Sequence, residues 1–232
     1  MRSLIIVCLT LCLGCGSDEA EQSDGPEIPD DATIIVIGDS VMAWNAEEEA
    51  SIPDVIGEEL DRVVYNAAVS GAYITDEIEG EEGMDIREQY VDNAWEWLVL
   101  DGGANDFNDE CGCTACADIL DEIISADGQS GVLPEFVQGV VDQGLRVVVW
   151  GYYNVPDSAE YGFAECNELI DDYSERQALL ADGNANVWFV DGREAVDSSD
   201  LDNYDDDHVH PSPQGSQRIG EAIAEQILAA EQ

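Results

Sequence analysis

The run Thr33-Ile34-Ile35-Val36-Ile37 breaks sharply into Gly38-Asp39-Ser40. β-Branched residues favour a strand. A strand that is apolar at successive positions leaves no side for water, so it must be covered on both faces. Further strand signals follow at Val63–Tyr65, Trp95–Leu100, Arg146–Trp150 and Val187–Val190. Helical signals separate them: Trp44 to Leu60, Ile86 to Val91, Ala117–Ser125, Val132–Gln143 and Cys166 to Leu180. A last helix starts at Ser212-Pro213 and carries Ile219, Ile223 and Ile227 along one face. The stretch from Asp101 through the cysteines reads as a loop. Five strands alternating with helices predict an α/β domain, a three-layer sandwich in which a five-stranded parallel sheet is flanked by helices.

In this architecture ligands bind beyond the carboxyl ends of the strands, where Ser40 falls. Both histidines of the chain lie far downstream, in Asp207-His208-Val209-His210-Pro211. A serine nucleophile, an imidazole base and an aspartate to orient it are therefore available at the two ends of the domain.

The chain carries 53 Asp and Glu against 7 Lys and Arg, a formal net charge of −46, and every basic residue is arginine. Such a surface repels phosphate backbones, so nucleic acid is not an expected partner. Hydrophobic residues make up 45% of the chain, enough to build a core, so the acidity is not that of a disordered tail. It reads as adaptation to salty surroundings.

Met1-Arg2-Ser3 followed by Leu4 to Leu13 reads as a secretion signal, too short to span a bilayer as a helix. Leu13-Gly14-Cys15 resembles a bacterial lipobox, with Cys15 the candidate for lipidation; Cys12 stands where lipoboxes usually have leucine. The expected organisation is a signal peptide over 1–15, an acidic tether over 16–30 and one catalytic domain over 31–232. The expected setting is the bacterial periplasm or cell surface, with membrane contact only through a lipid anchor. Four cysteines remain in the domain: Cys111, Cys113, Cys116 and Cys166. An even count in an exported chain predicts two disulfides, one tying the loop after Asn105 to the region before the fifth strand. A four-thiolate zinc site is the alternative.

Four segments together resemble the SGNH/GDSL hydrolase family: Gly38-Asp39-Ser40, Gly71 after the second strand, Gly103-Ala104-Asn105-Asp106, and Asp207 to His210 with Pro211. Val41 stands where the family name has leucine. The resemblance implies the flavodoxin-like SGNH fold and a cofactor-free serine esterase. Ser40 would be the nucleophile, His210 the base and Asp207 its orienter. The Ser40 and Gly71 N–H groups and the Asn105 amide would form the oxyanion hole. Asp39 is expected to brace its turn, and Asp106, Asp205 and Asp206 to be loop or surface charges. Expected substrates are a small ester or an acylated glycan, acted on by a monomer. A glycan O-acetyl esterase or thioesterase is the nearest variant. A silent carbohydrate- or partner-binding lipoprotein on the same scaffold is the alternative of another class.

The charge generates a test. Cations screen like-charge repulsion, and at 1 M salt the Debye length is about 3 Å. The melting temperature is expected to climb from low salt to about 1 M, equally with sodium and potassium, because screening is generic. A flat profile in calorimetry would leave the charge as a solubility feature only.

Overall fold

The computed structural model describes residues 27–75 and 83–232. The apolar leader, Cys15 and most of the tether lie outside them. The sheet is built from β1 (Ile34–Ile37), β2 (Val64–Asn66), β3 (Trp97–Leu100), β4 (Arg146–Gly151) and β5 (Val187–Asp191). Its order is β2-β1-β3-β4-β5, and every pair is parallel. Each residue of β1 and β3 is buried, as is β4 from Val147 onward. The edge strand β2 is half-buried, and β5 is too beyond Val187.

The helices are α1 (Ser40–Ala43), α2 (Ile52–Leu60), α3 (Ala104–Cys111), α4 (Ala117–Ile123), α5 (Val132–Asp142), α6 (Asn167–Asp182), α7 (Gly192–Ala195) and α8 (Pro213–Ala230). Parallel crossovers are right-handed. The step from β1 to β2 runs one way along the sheet, and the later steps run the other. The connecting helices are thus delivered to opposite faces. On one, α2 packs against α8; on the other, α5 and α6 cover β4. These are the three layers that the strand pattern predicts. Among the described residues no helix is long and apolar enough to cross a membrane.

The helical stretch within Trp44 to Leu60 is α2, entered at Ser51 with Pro53 in its first turn, and a 3₁₀ turn at Ala46–Glu48 precedes it. Ser51 starts α2 with a reciprocal cap: its Oγ accepts from the Asp54 N–H at 3.3 Å, and Asp54 Oδ2 accepts from the Ser51 N–H at 2.9 Å. The segment from Ile86 is a 3₁₀ turn ending at Gln89. The expected loop after Gly103 is instead α3. Its Asn and Asp residues favour turns by propensity, and tertiary contacts described below hold them helical.

All four cysteines of the domain are paired, Cys111 with Cys116 and Cys113 with Cys166, so no thiolate set is left for zinc. The second disulfide joins the turn after α3 to the entrance of α6, across 53 residues. At the opposite end of the sheet from Ser40, Glu231 Oε1 accepts from Arg62 Nη1 at 3.1 Å, Arg146 Nη2 at 3.2 Å and Trp97 Nε1 at 2.9 Å. Each arginine of the described residues pairs with a carboxylate.

A disulfide stabilises more as the loop it closes lengthens. Replacing Cys113 and Cys166 by serine is expected to cost about 4 kcal/mol, against about 2 kcal/mol for Cys111 and Cys116. Urea melts of the two double variants check this; equal losses would contradict it.

Candidate active site

The sheet order reverses at β1, so the chains leaving β1 and β3 part to opposite faces and open a crevice. Ser40 sits at this point as the first residue of α1. Asp39 caps that helix, its Oδ1 accepting from the Val41 N–H at 2.9 Å. Gly38 has φ +152°, and a Cβ there would lie 1.9 Å from Asp101 Oδ1, so only glycine passes. The same Asp101 Oδ1, at the end of β3, accepts from the Asp39 N–H at 2.9 Å. Gln89 brackets Gly38 from the other side: its Oε1 accepts from the Gly38 N–H at 2.7 Å, and its Nε2 donates to the Gly38 carbonyl at 3.0 Å.

The structure brings the two distant ends together. His210 Nε2 lies 2.8 Å from Ser40 Oγ, and its Nδ1 lies 2.6 Å from Asp207 Oδ2. Asp207 Oδ1 accepts from the backbone N–H groups of Val209 at 2.9 Å and His210 at 3.0 Å. Burial pushes the Asp207 carboxyl up, but bonds from the His210 ring and these two N–H groups outweigh it and hold it below the ordinary carboxylate range. An ionised Asp207 fixes the tautomer with hydrogen on Nδ1, which leaves Nε2 to accept from Ser40. His208 takes a left-handed conformation, φ +56°, and its Nδ1 meets Ser158 Oγ at 2.7 Å.

Asn105 and Asp106 occupy the first turn of α3. Asn105 Nδ2 donates to the Ala72 carbonyl at 2.9 Å, which fixes the amide and leaves one hydrogen to spare. Asp106, expected to be a loop or surface charge, is fully buried. It accepts from the Thr75 N–H at 2.9 Å, the Ile74 N–H at 3.1 Å and the Thr75 hydroxyl at 2.5 Å. The pair therefore stitches the segment after Gly71 to α3. Gly71 has φ +84°, a conformation that disfavours side chains. The N–H groups of Ser40 and Gly71 have no acceptor among the described residues.

Several participants are not among the residues that the motifs mark. Trp44 stacks flat on His210, with ring centroids 3.8 Å apart and planes 7° apart. Its Nε1 donates to Asp205 Oδ2 at 2.9 Å, so Asp205 is also no idle surface charge. The Trp44 position, one helical turn after Ser40, was the available signal. Tyr152 donates to Asp39 Oδ2 at 2.5 Å. Gln89 and Asp101 carried no sequence signal.

A model of the GDSL-like Lipase/Acylhydrolase family matches residues 36–218. The chain belongs to this family. Solved structures share its fold at low identity. A carbohydrate acetylesterase from Sinorhizobium meliloti is 16% identical, with a TM-score of 0.60 over 85% of this chain and 99% of that one. An inhibitor-bound aryl esterase from M. smegmatis is 15% identical, with a TM-score of 0.57 over 86% and 99%. A Lactobacillus plantarum protein reaches a TM-score of 0.65 at 16% identity, over 87% and 99%. No curated protein matches significantly. Gly38-Asp39-Ser40 lies inside the matched range, and Asp39 shares its surroundings with two further buried carboxyls.

Burial raises the carboxyls of Asp39, Asp101 and Asp106, that of Asp101 most clearly, where the charge on Asp39 adds to the effect. A raised folded value means stability that is complete below the ordinary aspartate value and is lost as pH climbs through the folded one. Asp207, Asp191 and Glu231 are lowered, so their contribution is lost instead as pH falls through their folded values. The melting temperature, measured in 1 M salt to screen general repulsion, is expected to decline as pH climbs above the ordinary aspartate value toward the folded values of the raised carboxyls, and to fall again on acidification, where the lowered carboxyls lose their contribution. Asp101→Asn keeps the acceptor for the Asp39 N–H and should flatten that decline. An unchanged slope would remove Asp101 as its source.

Proposed function

We propose that this GDSL-family hydrolase is a serine esterase working through an acyl-serine intermediate. The continuous hydrogen-bonded chain Ser40–His210–Asp207 carries the reading. Ser40 Oγ attacks the ester carbonyl carbon while its proton passes to His210 Nε2. The carbonyl oxygen becomes an oxyanion facing the Ser40 N–H, the Gly71 N–H and the free hydrogen of the Asn105 amide. The bond to the alcohol oxygen then breaks, and His210 returns the proton to it. Water repeats the cycle on the acyl-serine: its proton goes to His210, the acyl–Oγ bond breaks, and a carboxylic acid leaves. Asp207 stabilises the imidazolium in both halves, and the Trp44 face adds a cation–π contact to the same charge. The Leu4–Leu13 leader and Cys15 support an exported, lipid-anchored enzyme.

Hydrolysis of p-nitrophenyl acetate tests the reading. Ser40→Ala and His210→Ala should each lower kcat by several orders of magnitude, and the double variant by little more. Asn105→Ala should cost roughly 3–4 kcal/mol of transition-state stabilisation. Trp44→Ala should lose about 0.5–2 kcal/mol, with Trp44→Phe between it and the parent. Turnover lost in His208→Ala but kept in His210→Ala would refute the assignment.

A further inference from the structure

An apolar cavity opens beside the nucleophile. Ser40 and Asn105 line it, together with Val41, Ala104, Val155 and Val209. Phe163, Cys166 and Ile170 complete its apolar wall. The polar residues that border it have their groups engaged. Asp39 holds the Tyr152 hydroxyl, and the Tyr153 hydroxyl donates to the Val209 carbonyl at 2.8 Å. The Asn167 amide bonds both backbone groups of Val155, each at 2.9 Å. What remains for a ligand is an apolar surface next to a reactive hydroxyl.

We propose, resting on the esterase reading, that this cavity is an acyl pocket that admits only short chains, acetyl to butyryl. The cavity has only about 40 Å³ of room for water-sized groups, where a single water needs about 10–15 Å³. It therefore takes a few carbons beyond the carbonyl: an acetyl or butyryl tail fits, and a longer tail must reach past the wall.

The wall is also held against widening. Cys166 is buried and bound to Cys113, Ile170 is buried on α6, and Asn167 clamps the strand exit at Val155. Close-packed interiors resist an extra methylene. Phe163 alone among the apolar wall residues is half-exposed, on the 3₁₀ segment Glu160–Cys166. It is therefore the position where the pocket is most readily enlarged.

The experiment is a series of p-nitrophenyl esters from acetate to decanoate, with a fluorophosphonate probe to count reactive serines. The proposal expects kcat/KM to fall about tenfold or more between butyrate and hexanoate, as added methylenes outgrow an apolar pocket. Phe163→Ala should move the break toward hexanoate or octanoate, read as a rise in the ratio of octanoate to acetate kcat/KM. Ile170→Ala serves as a second enlargement should Phe163→Ala not fold. Activity that is level or rising from acetate to decanoate would overturn the short-chain pocket and leave the esterase reading standing. A break that neither enlargement moves would overturn this wall as its cause. Absence of turnover on every ester together with no probe labelling of Ser40 would instead bring down the esterase reading, and this proposal with it.

Discussion

The Asp101 carboxyl group holds the site in place. One of its oxygens occupies the space that a Gly38 side chain would need and takes the Asp39 N–H at 2.9 Å. This bond joins the ends of β1 and β3, the two fully buried strands between which the sheet changes direction. Without it the turn leading to Ser40 would have a buried donor with no partner, a cost of about 1–3 kcal/mol. The arrangement has its own cost, since Asp101 Oδ2 is buried without a hydrogen-bond partner among the described residues. A carboxyl in that position resists ionisation, because burial disfavours its charged form and the charge on Asp39 adds to the effect.

Around this fixed point, each group of the proposed site is positioned by a neighbour outside it. Asp207 holds one edge of the His210 ring and Trp44 its face, while Asp205 holds Trp44 by the indole N–H. The Asp205 N–H also donates to the His210 carbonyl at 2.9 Å, so the loop closes on itself. Asn105 and Asp106 do the same for the segment after Gly71. A ring held at an edge and a face has little rotational freedom left to lose when it takes a proton, which is how preorganisation lowers a barrier.

How far this was legible depended on the kind of signal. Strands such as Ile34–Ile37 and Trp97–Leu100 announce themselves because burial on both faces demands unbroken apolar runs. Ser40, His210, Asp207, Gly71 and Asn105 were marked by residue type and motif. Asp106 was misjudged because an aspartate in a polar segment normally faces water, and nothing local says that it caps the N–H groups of Ile74 and Thr75. The α3 helix was missed for a related reason: its stability comes from those long-range bonds and not from propensity. Gln89 and Trp44 act across 51 and 166 residues, on Gly38 and His210, and such partnerships exist only after the chain has folded.

The Glu231 junction bears on the order of folding. It draws in Arg62, Arg146 and Trp97 from 169, 85 and 134 residues away. The helix α8 that leads to it follows every strand in the sequence and covers the same face as α2, near the start. Contacts at such separation pay their loop-closure entropy before they return any energy. The early strands and α2 can thus collapse during synthesis, yet the face they share with α8 stays only partly covered until that last helix has been made.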